Sequence, residues 1–225
     1  VLAVANVVSN RVVPGWAYVP WNLAVAVVVV VMARRALGRH AAVPRRALDR
    51  EIGLGEWRRG AVFGGALALA TIVVMLIGLA VPAFRALYED RRVDESIGAA
   101  LVQALVRVPL GTVLLEEIAF RGVLPAVAAR RIGVLRASVV ASVAFGLWHV
   151  LPAWNLSDTN QGIADVVGSG ALGTAATVTF GVAGTALAGL WWCWIRYRSR
   201  SVLATVIAHT AANSVGYLLA YAVTH

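Results

Sequence analysis

Six apolar runs of roughly membrane-spanning length take up most of this chain: Ala17 to Ala33, Ala61 to Val81, Ser96 to about Ala129, Ala137 to Pro152, Thr174 to Ile195 and Val202 to Val223. A crossing helix needs about 20 apolar residues, so the runs leave short connections and no room for a second, soluble domain. Composition agrees: 60% of the 225 residues are hydrophobic and 14% charged, against about 45–50% and about 25% in a soluble domain. The expected fold is all-α, a polytopic transmembrane helix bundle of about six spans plus an interfacial segment, forming one domain over residues 1–225. Val1 to Val13 is too short to count as a further span. With no basic stretch ahead of it, it does not read as a cleaved signal peptide.

The third run is too long for one crossing, since its 34 residues would measure about 51 Å as a helix against roughly 30 Å of hydrocarbon. Pro109 suggests a division. Residues 96–107 then form an interfacial or tilted segment, and the crossing helix starts at Pro109, because proline loses no hydrogen bond in a first helical turn.

Arginine sets the sidedness. The chain has no lysine, and its net charge of +9 rests on twenty arginines. The first link carries Arg34, Arg35, Arg39, Arg45, Arg46, Arg50, Arg58 and Arg59; the third carries Arg130, Arg131 and Arg136; the fifth carries Arg196, Arg198 and Arg200. The second link, Arg85 to Glu95, is nearly balanced, and the fourth, around Asp158 and Asp165, has no basic residue. This alternation is what the positive-inside rule requires of six spans with both ends of the chain outside and three basic links in the cytoplasm. In a soluble chain such a charge would suggest nucleic acid; here the arginines lie between apolar runs and meet lipid headgroups, so no nucleic-acid partner is expected. Cys193 is alone and reads as packing. Trp16, Trp21, Trp154, Trp191, Trp192 and Trp194 lie near span ends, where indoles favour the interface.

Ionisable groups inside hydrocarbon are costly and are functional candidates by default. Four places qualify: Glu116 and Glu117 with Arg121, His149, His209 with Asn213, and the isolated Arg107. Residues four apart share a helix face, so Glu117 and Arg121 are natural partners and Glu116 is left over. An unpartnered carboxylate held away from water is a candidate general base. Phe145 and His149 are four apart on the fourth run, as are His209 and Asn213 on the sixth. A lone histidine in such a helix is more often hydrogen-bonded to a carbonyl than catalytic; two of them beside a double glutamate favour chemistry. Counting from the basic links puts Glu116, His149 and His209 about 21, 20 and 14 Å deep. They can meet near mid-membrane. No Gly-x-Ser-x-Gly or His-Glu-x-x-His is present, and hydrolysis by an activated water is the simplest chemistry for these groups. Glu116 would take the water's proton, a histidine would hold the water, and Asn213 could donate to the oxyanion.

Glu-Glu-x-x-x-Arg, Phe-x-x-x-His and His-x-x-x-Asn, in this order and on separate helices, resemble the CPBP family of intramembrane endopeptidases, which includes CAAX prenyl proteases and bacteriocin-processing or abortive-infection (Abi) proteins. The motif core runs from Pro109 to Asn213. The resemblance implies an integral membrane peptidase whose site opens toward the cytoplasm and lipid. It makes Glu116 the base and His149 its partner on the water, with His209 and Asn213 on the oxyanion. Glu117 and Arg121 hold the geometry, and Phe145 supports it. Members are described both as metalloproteases and as metal-independent glutamate proteases, so the implied cofactor is none or one divalent ion such as zinc on Glu116, His149 and His209. The implied partners are membrane lipid and a peptide or protein substrate, possibly membrane-embedded. The Arg-rich, Lys-free, Ala/Val-heavy composition is associated with GC-rich bacteria, hence a bacterial plasma membrane. A proton-coupled transporter, or a binding partner with a vestigial site, is the competing class; the paired, interrupted helices of a transporter are not visible in the sequence.

Overall fold

In the computed structural model the described residues are 1–38, 44–90, 93, 95–154 and 156–225. Of the arginines and acids counted in the links, Arg39, Arg91, Arg92 and Asp94 lie outside them. Among the described residues six helices are long and apolar enough to cross a membrane, and no strand is present; an isolated bridge joins Asp90 to Asn160. A short α1 (Leu2–Arg11) precedes α2 (Tyr18–Gly38). Next come the small α3 (Arg45–Glu51) and α4 (Trp57–Ala80). The 36-residue α5 (Ile97–Ile132) is followed by α6 (Val134–Trp148), α7 (Gly170–Ser199) and α8 (Val202–Thr224). The all-α polytopic bundle read from the apolar runs is the observed fold. Its outer faces are aliphatic, as a lipid-facing surface must be: Leu69, Val73, Val74 and Ile77 of α4 are exposed, as are Val139, Val140 and Val143 of α6.

The expected break at Pro109 is absent. The helix α5 runs through it, and the chain from Gln103 to Val113 takes the wider π-helical coil, whose N–H groups reach back five residues instead of four. Proline has no N–H to give, which in this ladder orphans the carbonyl of Ala104. Ser214 on α8 donates its hydroxyl to that carbonyl at 2.6 Å. A backbone acceptor inside hydrocarbon must find a donor, and a hydroxyl from the neighbouring helix supplies it, so the segment expected at the interface is continuous with the third span.

The links gather as the arginine pattern requires. At one end Arg130 of α5 pairs through both its Nε and Nη2 with Glu51, at 2.8 and 2.7 Å, and Arg34 pairs with Asp49 at 2.6 Å. Arg59 donates to the carbonyl of Arg198, and Arg196 donates to that of Glu51. The first, third and fifth links therefore share one end. At the other end Asn160 of the fourth link donates to the carbonyl of Leu87 in the second, at 3.2 Å.

Small residues set the helix spacing. Glycines at 60 and 64 of α4 face α8 so closely that a Cβ on Gly64 would stand 2.8 Å from the Ala204 carbonyl, and one on Gly146 of α6 would meet α7 at Val182. Close backbone approach through small residues is the usual means of helix association in lipid. Gly53, at φ +84°, turns the chain so that its carbonyl accepts from Val202 N at 2.9 Å. Replacing Gly64 by valine forces α4 off α8 and is expected to destabilise the protein by about 1–3 kcal/mol; the thermal midpoint of the detergent-solubilised variant measures it.

Candidate active site

Both glutamates sit on one α-helical turn, Leu114–Glu117, held between two π-helical stretches of α5, Gln103–Val113 and Ile118–Val123. Local widening of this kind is frequent where a helix carries function, because it re-aims side chains that a regular coil would spread around the axis.

Glu117 is wholly buried and is the hub. His209 Nδ1 lies 2.8 Å from its Oε1, and Arg121 Nη1 lies 3.4 Å from the same oxygen. A carboxylate oxygen only accepts, so Nδ1 carries the proton. The other ring nitrogen, Nε2, faces Asn213 Nδ2 at 3.2 Å and can accept from it. Asn213, His209, Glu117 and Arg121 thus form one polar chain across α8 and α5. The expected Glu117–Arg121 pairing is an ion-pair contact without a hydrogen bond: none of the three guanidinium nitrogens of Arg121 has a hydrogen-bond partner among the described residues. The guanidinium lies instead over the Phe145 ring, 3.7 Å from its centre, gaining cation–π attraction.

Glu116 is 4% exposed. Trp148 of α6 donates its indole N–H to Oε1 at 2.9 Å, while Oε2 has no hydrogen-bond partner among the described residues and lies 4.0 Å from His209 Nε2. Glu116 lines a cavity of about 50 Å³ together with Ser9, Tyr18, Asn22 and Thr112. Around this cavity Ser9 donates to Asn22 Oδ1 at 2.8 Å, and the Tyr18 and Thr112 hydroxyls are 3.1 Å apart.

His149 stands apart from this chain. Its Nδ1 is 2.8 Å from the carbonyl of Phe145 and its ring packs edge-on to Phe145, 4.5 Å between centres. No hydrogen bond or ion pair joins it to Glu116 among the described residues. Glu116, His149 and His209 are not gathered as a ligand set: no three His, Cys, Asp or Glu side chains among the described residues are grouped so as to hold a metal ion. The Phe145 ring is the common wall, since His209 also abuts it at 6.2 Å. Arg107 lies outside the cluster, over the ring of Tyr18 at 4.6 Å.

Residues 98–215, slightly over half the chain, match the model of the type II CAAX prenyl endopeptidase Rce1-like family. The chain belongs to this family. The matched stretch runs from the start of α5 into α8 and contains all three motifs, and membership makes the chain a CAAX-type protease at the level of the family, built on six apolar helices as an integral membrane protein. Neither the curated proteins nor the solved structures contain a match.

Two residues packed on the candidate site lie outside the three motifs. Trp148 carries a signal of its own, since a buried indole N–H needs an acceptor and it stands next to His149. Trp192, near a span end, is not interfacial like its neighbours: it stacks over His209 at 6.0 Å, whereas Trp191 and Trp194 on the same helix are half exposed and stack on each other. Glu117→Gln leaves Arg121 a buried charge facing only a ring and is expected to cost about 3–5 kcal/mol. Adding Arg121→Met should return part of that loss, read as recovery of the thermal midpoint.

Proposed function

We propose that this Rce1-like protein is an intramembrane endopeptidase that hydrolyses a peptide bond with a water activated by Glu116. The observation that carries the reading is the state of the Glu116 carboxylate: one oxygen fixed by the Trp148 indole, the other buried, without a hydrogen bond among the described residues and 4.0 Å from His209 Nε2, on a residue that lines a small polar cavity. A cavity of that size holds water, since one molecule needs only about 10–15 Å³.

The buried charges suggest how protons move. The buried cluster holds two carboxylates and one guanidinium, and an uncompensated charge at this depth costs several kcal/mol. One proton on the Glu116–His209 pair makes the sum neutral. With that proton on His209, Glu116 Oε2 is free to take a proton from water as the water oxygen attacks the substrate carbonyl carbon. The new oxyanion accepts from Asn213 Nδ2 and from His209 Nε2, which as imidazolium is a donor. When the tetrahedral intermediate collapses, the C–N bond breaks and Glu116 returns the proton to the leaving amine. For His149, the bond of Nδ1 to the Phe145 carbonyl leaves Nε2 with a lone pair, suited to accepting from the same water as the substrate closes the site. Apo geometry is commonly looser than that of the Michaelis complex. Trp148 acts as a positioning residue for Glu116. No tightly bound metal enters this scheme.

The test is cleavage of a peptide by the purified, reconstituted protein. Glu116→Gln and His149→Ala are expected to abolish turnover while leaving the thermal midpoint close to that of the parent. Unchanged turnover in either removes that residue from the mechanism. Trp148→Phe, which keeps the aromatic packing and deletes one hydrogen bond to a charged group, is expected to lower kcat by roughly ten- to hundredfold, from about 1.5–3 kcal/mol, with little change in KM.

A further inference from the structure

The helix α4 packs against α8, and α7 packs against α6, so α4 and α7 barely touch each other. Between them lies a groove of about 430 Å³ that none of the motif residues lines. It is built from two stripes at helical spacing. On α4, Val62, Phe63, Ala66 and Leu67 share one face, with Arg59 one turn before them; on α7, Trp191, Trp194 and Ile195 share one face, with Arg198 one turn after them. The first link leads into α4 and the fifth follows α7, so both arginines come to the end where those links gather. Arg198 lines the groove itself. Arg59 is held beside it: its Nη2 donates to the Arg198 carbonyl at 2.8 Å, and its guanidinium lies 5.5 Å from the centre of the Phe63 ring.

The charge at this mouth is uncompensated. Both arginines are exposed, and neither pairs with a carboxylate among the described residues. Arg58 and Arg59 also stand in the first turn of the 24-residue α4, where the free backbone N–H groups already present partial positive charge. That turn holds no acidic residue, and Glu56 before it makes no side-chain cap. Cations on a positive helix end repel it, and an anion seated among them relieves the repulsion.

Polarity changes along the groove in a definite order. The arginines come first. One turn deeper, Trp191 and Trp194 are 51% and 53% exposed and stack 4.9 Å apart. Indoles of this kind favour the boundary between headgroups and hydrocarbon, with the ring in the apolar layer and the N–H toward polar groups. Beyond them Ala66 and Leu67 offer only aliphatic surface. A phospholipid has the same sequence of parts: phosphate, glycerol esters, acyl chain.

We infer that the groove is a binding site for one anionic phospholipid, with its phosphate between Arg59 and Arg198, its glycerol esters along the two indoles and an acyl chain over Phe63, Ala66 and Leu67. A zwitterionic lipid brings an ammonium group beside its phosphate and leaves the arginines uncompensated. The arginine-rich end is cytoplasmic by the positive-inside rule, and the surface of that leaflet is the one that carries anionic lipid. A lipid held there ties α4, which packs on the His209-bearing α8, to α7, whose Trp192 stacks over His209.

The test is native mass spectrometry of the whole protein in neutral detergent, titrated with phosphatidylglycerol or with phosphatidylcholine of the same chains. Thermal midpoints in lipid-free detergent show that each variant is folded. The parent is expected to take up a first phosphatidylglycerol well before phosphatidylcholine. Arg59→Gln combined with Arg198→Gln should weaken phosphatidylglycerol binding about thirtyfold, the loss expected of two cationic contacts at a lipid surface, and leave phosphatidylcholine binding as in the parent. Arg198→Lys keeps a cation in place and should retain most of the preference, which separates lost charge from lost structure. Ala66→Trp fills the groove, keeps both arginines and should bring phosphatidylglycerol down to the phosphatidylcholine level. Arg46→Gln, at an exposed position of the same end outside the groove, should change nothing. Equal binding of the two lipids by the parent overturns the inference, as does an equal loss in Arg46→Gln or unchanged binding in Ala66→Trp. Displacement of phosphatidylglycerol by inorganic phosphate, or a protein dimer that excludes the lipid and is lost in Ala66→Trp, also overturns it.

Discussion

A guanidinium with no exposed surface, buried at bilayer depth without a hydrogen bond among the described residues, holds this structure to one arrangement. Arg121 is compensated by the Glu117 carboxylate on one side and by the face of Phe145 on the other. Glu117 in turn fixes His209, and His209 fixes the amide of Asn213. Three helices, α5, α6 and α8, are tied by this one charge, since none of its neighbours can turn toward lipid without leaving a charge unpaired in hydrocarbon. In a bundle whose helices gain nothing by hiding oily surface from oily surroundings, polar ties of this kind and close glycine contacts provide the specificity.

Because the hub consumes Glu117, its neighbour is released. Glu116 points to another face of the same short turn and meets only an indole N–H and, farther off, an imidazole. The division of labour between adjacent glutamates follows from a helix that changes pitch on either side of them. The π-helical stretch before them also carries Pro109 without a break, with Ser214 closing the carbonyl that proline leaves open. One irregular helix thereby crosses the bundle and presents the carboxylates.

Membership of the Rce1-like family and the cluster around Glu116 point to the same chemistry, and the tryptophans extend it. Trp148 bonds Glu116 through its indole N–H and Trp192 stacks over His209, so both groups are flanked by flat aromatic surface. A site assembled in this way can confine water to a chamber of a few molecules and still lie within the thickness of the bundle.

The sequence by itself determined the six spans, the alternation of their links and the identity of the polar residues, because each depends on local composition: hydrocarbon length selects apolar runs, and a buried charge stands out wherever it occurs. It also determined that Glu117 and Arg121 are neighbours, since they lie four apart on one helix. Tertiary structure alone decided the rest. Pro109 is harmless only because a serine 105 positions later reaches back to the orphaned carbonyl. His149 is bonded to its own helix while His209 takes the glutamates, a choice between two equivalent imidazoles that no local pattern encodes. How the stretch from α3 to Gly53 packs under α5 and α8 was likewise invisible, since contacts between segments so far apart in the chain leave no periodicity for a sequence to display.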